Sequence, residues 1–102
     1  MTELETVEIV NGKTNLLLMT GTFCGPCRYI KPVFKDFIEN HNKEEKVNAA
    51  MYDVMEIDSD FVRESKVMNV PMLLIFNKDG VIVDRISDTE KLSDVDYYKS
   101  IK

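Results

Sequence analysis

The spacing of apolar residues along the chain separates helical segments from strand-like segments. Apolar side chains recur at helical spacing over residues 24–40, so this segment is predicted to form an amphipathic helix. Shorter helices are predicted over residues 2–10, 59–66 and about 92–101. Apolar runs typical of strands lie at residues 16–20, 47–54, 72–76 and 81–86.

The order of these elements predicts an α/β fold. Strands that are separated by helices pair in parallel, whereas the sequence Asn-Lys-Asp-Gly at residues 77–80 predicts an antiparallel hairpin between the last two strands. We therefore expect a four-stranded mixed sheet with helices on both faces. Because no linker or repeat divides the 102 residues, residues 1–102 are predicted to form a single domain.

The composition narrows the class of protein. With 44% hydrophobic and 30% charged residues, the chain is typical of a globular domain. Its formal net charge of −5 argues against nonspecific nucleic-acid binding, which needs a basic face. No apolar run reaches the length of a membrane span, and the acidic N-terminus lacks the basic start and apolar stretch of a signal peptide. The sequence therefore predicts a cytoplasmic protein without nucleic-acid or membrane partners.

The two cysteines supply the candidate chemistry. Cys24 and Cys27 are separated by Gly25 and Pro26 at the predicted start of the long helix. A helix N-terminus has unpaired N–H groups and a partial positive charge that stabilise a thiolate, the nucleophile of thiol–disulfide exchange. This placement indicates a dithiol–disulfide oxidoreductase, and a purely structural cysteine pair is the simpler alternative. Structural zinc is disfavoured because it needs about four ligands and His41 lies far along the same helix.

Further motifs accompany the cysteine pair along nearly the whole chain. Cys24-Gly25-Pro26-Cys27 is followed by the basic Arg28, the helix-kinking Pro32, the Val70-Pro71 pair and the hairpin at residues 76–80. In these features the chain resembles the thioredoxin family. Together, in their order and spacing, they imply a thioredoxin fold and a thiol–disulfide oxidoreductase activity.

The same resemblance implies a role for each residue of the site. Cys24 is expected to attack a substrate disulfide, and Cys27 is expected to resolve the mixed disulfide that forms. Val70 and Pro71, joined by a cis bond, are expected to form a ledge beside Cys24 for an extended substrate. Supporting roles are expected for neighbours of the cysteines. Phe23 is expected to form a wall of the substrate groove, and Gly25 and Pro26 are expected to form a stiff loop between the two sulfurs. Arg28 is expected to add positive charge.

Several positions depart from the family pattern. Phe23 stands where the family usually has tryptophan, and Leu18 stands where it has a buried aspartate. Ala50 is expected to replace the lysine that often accompanies that aspartate. Without the aspartate, Cys27 is expected to release its proton to water or another carboxylate, which would slow resolution. Because only 23 residues precede Cys24, the first strand of full-length thioredoxins is expected to be missing.

The implied reaction needs no bound cofactor, because the Cys24–Cys27 pair carries the electrons. The expected partners are disulfide-containing protein substrates and an electron donor of the thioredoxin-reductase type, and the chain is expected to be a monomer. Two alternatives stay open at this point. One is a glutaredoxin-like reductase that uses glutathione, and the other is a non-catalytic thioredoxin-fold module that binds a protein partner.

Overall fold

A mixed β-sheet with helices on both faces forms the centre of the molecule. The structure is a computed structural model, and it describes residues 5–101. The strands are β1 (Thr14–Thr20), β2 (Val47–Asp53), β3 (Met72–Phe76) and β4 (Ile82–Ile86). The helices are α1 (Cys27–Asp36), α2 (Ser59–Glu64), α3 (Thr89–Leu92) and α4 (Val95–Ser100), with a π-helical turn at Phe37–His41 and a 3₁₀ turn at Lys43–Glu45.

The four strands have the order β2-β1-β3-β4. β1 pairs with β2 in parallel and with β3 antiparallel, and β3 pairs antiparallel with β4. The predicted hairpin between β3 and β4 is present, and the Asn77 side chain accepts hydrogen bonds from the Asp79 and Val81 N–H groups. The expected four-stranded α/β fold is therefore confirmed. Within residues 5–101, no strand precedes β1.

β1 separates two hydrophobic cores, because its side chains alternate between the two faces of the sheet. Leu16 and Leu18 pack with Phe34 of α1 and with residues of α3 and α4 on one face. Leu17 and Met19 pack on the other face with residues that surround α2. Since both faces are covered, residues 16–19 of β1 form a continuous apolar run rather than an alternating one.

Asn15 is one of three buried polar residues in this strand, with Thr14 and Thr20. Its side-chain oxygen accepts hydrogen bonds from the Val10 N–H and from Asn48 Nδ2, at 2.9 and 2.7 Å. Its side-chain nitrogen donates to the Val10 and Lys13 carbonyl oxygens, at 3.0 and 2.9 Å. Four hydrogen bonds thus hold an amide that is fully enclosed, and they join the N-terminal segment to β1 and β2.

The prediction of a helix over residues 2–10 is wrong for residues 5–10. Residues 2–4 lie outside the part of the chain that the structure describes. Glu5 instead forms an isolated parallel bridge with Ile57. Val7 and Ile9, two residues apart as in a strand, pack on the core beside α2. The Glu8 N–H donates to the Tyr52 hydroxyl oxygen at 3.2 Å, so side chains replace the hydrogen bonds that a helix would make.

The long helix starts later and ends earlier than its apolar pattern predicts. α1 begins at Cys27, because the chain before it makes a turn over residues 21–24, in which the Cys24 N–H donates to the Gly21 carbonyl oxygen at 3.3 Å. After Asp36 the chain continues as the π-helical turn. The predicted closing helix is two short helices, α3 and α4, whose N-caps are Asp88 and Asp94.

Tyr98 of α4 leads to a prediction about the stability of the protein at alkaline pH. Burial and, to a lesser degree, the neighbouring Tyr97 raise the pKa of its hydroxyl above the ordinary value of 10.0. Above about pH 10 an unfolded tyrosine loses its proton first, so the free energy of unfolding is expected to fall as pH rises. Urea unfolding between pH 8 and about pH 11 measures this slope.

Tyr98→Phe is the matched control for this prediction. It removes the hydroxyl that donates to the Leu92 carbonyl oxygen, which should lower stability at neutral pH by about 1 kcal/mol. Its stability should then vary less with pH than that of the wild type between pH 9 and 11. Equal slopes for the two proteins would show that Tyr98 does not cause the alkaline loss.

Candidate active site

The two cysteines form a disulfide at the carboxyl end of β1. Their Cα atoms are 5.3 Å apart. Cys24 lies in the turn that follows β1 and is partly exposed, whereas Cys27 is the first residue of α1 and only 1% exposed. Their order of exposure agrees with the expected roles of an attacking and a resolving cysteine. The predicted helix over residues 24–40 would place Cys27 one turn inside it, but Cys27 is the first residue of α1.

Backbone geometry directs a hydrogen-bond donor at the exposed sulfur. The Cys27 N–H donates to Cys24 Sγ at 3.2 Å. Pro26 is the N-cap of α1 and has no N–H of its own. The Arg28 N–H donates to the Gly25 carbonyl oxygen at 3.2 Å, which completes the turn. The sulfur of Cys24 therefore faces the N-terminal end of α1, where negative charge is favoured.

A largely apolar pocket of about 630 Å³ lies beside the disulfide. It is lined by Gly21, Thr22, Phe23, Cys24, Gly25, Pro26, Met55 and Val70. The structure thus places Phe23, Gly25, Pro26 and Val70 around Cys24, as the sequence predicts. Arg28 is exposed on the first turn of α1, and neither it nor Pro71 lines the pocket.

Phe23 is fully exposed at this rim, with a relative accessibility of 101%. Its exposed ring adds to the apolar surface of the pocket. Met55, on the turn after β2, is also 78% exposed. The position of Phe23 agrees with the expected groove wall, and Met55 extends that wall.

The ledge beside Cys24 has the expected backbone. The Val70–Pro71 peptide bond is cis, as predicted, and Pro71 is buried. Gly21 lets this ledge approach the turn before Cys24, because a Cβ at residue 21 would lie 3.0 Å from Val70 Cγ2. The absence of a side chain at Gly21 therefore sets how closely the two segments pack.

Leu18 lies in an entirely apolar setting. It is fully buried and packs with Ile30, Leu73 and other residues of the core on the α1 face. In the parallel register its partner on β2 is Met51, which packs on the same core. Ala50 packs on the opposite core and so does not face Leu18. The equivalence of Ala50 to the family's lysine stays a prediction.

Sequence analysis missed Asp53. Its carboxylate accepts hydrogen bonds from the Thr22 hydroxyl and from the Met55 N–H. The second of these contacts spans two residues, a spacing that aspartate commonly bridges at turns. That spacing was the available signal, but the contact with Thr22 depends on the pairing of β1 with β2.

The structure also bears on metal binding and on membrane-spanning helices. His41 lies at the end of the π-helical turn, with its Nε2 3.2 Å from Asp36 Oδ2. Among residues 5–101, no group of three or more His, Cys, Asp or Glu side chains is arranged to hold a metal ion. In the same part of the chain, no helix has the length and apolar character needed to cross a membrane.

Comparison with known proteins places the chain in a family. The thioredoxin family profile matches residues 4–98. The chain belongs to the thioredoxin family. The thioredoxin of Coprinus comatus is 31% identical over 78 residues, covering 74% of this chain and 69% of that protein. The thioredoxin of Staphylococcus saprophyticus is 34% identical over 77 residues, covering 76% of this chain and 70% of that protein.

Solved structures agree with this assignment. The thioredoxin of Malassezia sympodialis superimposes with a TM-score of 0.72 at 20% identity, covering 98% of this chain and 88% of that chain, which supports the fold. The thioredoxin of Fasciola hepatica gives a TM-score of 0.63 at 28% identity, covering 80% and 76%. The protein is thus a thiol–disulfide oxidoreductase of the thioredoxin family, and Cys24 and Cys27 are its CXXC pair.

Proposed function

We propose that this thioredoxin-family protein works as a reductant of protein disulfides, with Cys24 as nucleophile and Cys27 as resolving cysteine. The observation that carries this assignment is the difference in access between the two sulfurs. Cys24 lines the open pocket and receives the Cys27 N–H hydrogen bond, whereas Cys27 is buried beneath it. A substrate sulfur reaches Cys24 first.

The proposed reaction has two exchange steps. The Cys24 thiolate attacks one sulfur of the substrate disulfide, so a mixed disulfide forms, and the other substrate sulfur leaves as a thiolate and takes up a proton. Cys27 then loses its proton and attacks Cys24 Sγ. This step closes the Cys24–Cys27 disulfide and releases the second substrate thiol. Two electrons have then passed from the protein to the substrate, and the two substrate thiols carry the Cys27 proton and one proton from solvent, which took up the Cys24 proton when the thiolate formed.

The surroundings of Cys24 suit an extended protein segment. Phe23, Met55 and Val70 offer apolar contacts around the reacting sulfur. Val70 lies just before β3, so its backbone is placed to pair with a substrate strand that passes the ledge. In this proposal Gly25 and Pro26 hold the spacing of the two sulfurs, and Arg28 adds positive charge on the first turn of α1.

The proposed cycle uses no bound cofactor. A reductase of the thioredoxin-reductase type returns the disulfide to the dithiol, and the protein acts in the cytoplasm as a monomer. A cytoplasmic reductant needs a potential near that of thioredoxin, about −270 mV. Because residue 18 is leucine and not aspartate, water or another carboxylate accepts the Cys27 proton in this proposal.

The reduction potential of the Cys24–Cys27 pair tests the direction of this reaction. We expect equilibration in glutathione redox buffers to give a value close to about −270 mV. Turnover of insulin disulfides with a thioredoxin reductase should then exceed turnover with glutathione and glutathione reductase. A potential above about −200 mV would assign the protein to disulfide formation instead. Faster turnover with glutathione would favour the glutaredoxin-like alternative.

A further inference from the structure

Asp53 ends β2 and connects two segments that line the pocket. Its Oδ2 accepts a hydrogen bond from Thr22 Oγ1 at 3.0 Å, and its Oδ1 accepts one from the Met55 N–H at 2.8 Å. Thr22 belongs to the turn before Cys24, and Met55 belongs to the turn after β2. Both residues line the pocket, so one carboxylate links two parts of its wall.

The strand pairing brings this carboxylate into place. Thr20 and Asp53 are opposite each other at the ends of β1 and β2, and the Val54 N–H donates to the Thr20 carbonyl oxygen at 3.0 Å. After Thr20 and Asp53, the segments that follow β1 and β2 leave the sheet as turns. The Asp53 side chain continues the connection between them for two more residues on each side, where the sheet no longer does.

We propose that Asp53 is a positioning residue that sets the walls of the substrate pocket, an inference that rests on the proposed reduction of protein disulfides. Asp53 does not line the pocket and acts through Thr22 and Met55. Phe23 follows Thr22 and has no side-chain burial to orient it. Without the carboxylate, the segment that carries Phe23 and the segment that carries Met55 no longer hold a fixed separation, and a protein substrate loses part of its apolar contact.

Asp53→Ala tests this proposal through a split between two substrates. For insulin, KM is expected to rise about fivefold while kcat stays within about twofold, because the lost contacts act on binding and not on the sulfurs. The small disulfide DTNB reaches Cys24 without using the pocket walls, so its rate should stay within about twofold of the wild type. A general loss of structure would lower both activities together.

Asp53→Asn is the conservative control. Its amide oxygen can accept the Met55 N–H hydrogen bond, and its amide nitrogen can donate to Thr22 Oγ1. This variant should therefore keep a KM for insulin near that of the wild type, although it removes the charge. Thr22→Val removes one of the two contacts, and adding it to Asp53→Ala should raise KM no further, because both changes break the same link.

Three results would overturn the proposal. One is an unchanged KM for insulin in Asp53→Ala, and another is an equal loss of activity toward insulin and DTNB. The third is a KM in Asp53→Asn as high as in Asp53→Ala. This result would show that the negative charge of Asp53, and not its hydrogen bonds to Thr22 and Met55, sets KM. If the wild type itself does not reduce insulin, the proposed function fails first and this proposal fails with it, a result distinct from the other three.

Discussion

Cys24→Ser is expected to lower the rate of insulin reduction by at least about 10³-fold, because a serine hydroxyl cannot replace the attacking thiolate. Cys24 is partly exposed and lines the pocket, while Cys27 is 1% exposed, so its sulfur has little access to a substrate. The measurement is the rate of insulin reduction with the variant in place of the wild type. Mass spectrometry should detect no mixed disulfide between this variant and a substrate.

Cys27→Ser is the matched control, since it removes the other sulfur and the same disulfide. We expect this variant to attack a substrate once and then to remain joined to it through Cys24. Both variants lack the Cys24–Cys27 bond, so a difference between them reports the roles of the sulfurs and not stability. A mixed disulfide that forms through Cys27 in the Cys24→Ser variant would reverse the assignment.

Leu18→Asp is expected to lower the free energy of unfolding by about 4 kcal/mol at neutral pH. The substitution removes a fully buried apolar side chain and puts a carboxylate into a core without polar partners. Burial raises the pKa of such a carboxyl, so the folded variant keeps its proton to a higher pH than the unfolded chain. The loss should therefore be smallest near pH 4 and grow as pH rises, as measured by urea unfolding.

Leu18→Asn separates charge from polarity, because its amide is buried in the same place and does not titrate. Its loss of stability should be nearly independent of pH over the same range. The rate at which Cys27 resolves the mixed disulfide gives a second readout. If a carboxylate at residue 18 accepts the Cys27 proton, Leu18→Asp should resolve faster than Leu18→Asn. Equal rates would contradict the idea that the absence of an aspartate limits this step.

Most of the fold was predictable because its apolar runs are unambiguous. β3 lies where the run at residues 72–76 predicts it, and β1 and β2 differ from their predictions only at their ends. The segment before β1 was not predictable in the same way. Leu4, Val7 and Val10 fit a helix, but Val7 and Ile9 also fit an extended chain, and contacts with Tyr52 and Asn15 decide between them. The contact with Tyr52 joins residues that are distant in the sequence, and both contacts depend on the fold.

The candidate site was predictable to the extent that it follows from motifs. The positions of Cys24, Phe23 and Val70 around one pocket agree with the sequence analysis. Asp53 and Met55 come from a different strand and carry no motif, so only the pairing of β1 with β2 brings them there. The chemical roles of these residues stay predictions until the variants are measured.

The two covered faces of β1 have a consequence for how the chain finds its correct alignment. A one-residue slip of this strand would exchange the faces of all its side chains, yet leucine and methionine would still be buried on both sides. Hydrophobicity alone therefore distinguishes poorly between the two alignments. Asn15 favours the native alignment, since a slip would turn its amide to the opposite face and away from Asn48 of β2. A polar side chain such as Asn15 thus separates two alignments that the apolar residues alone would accept.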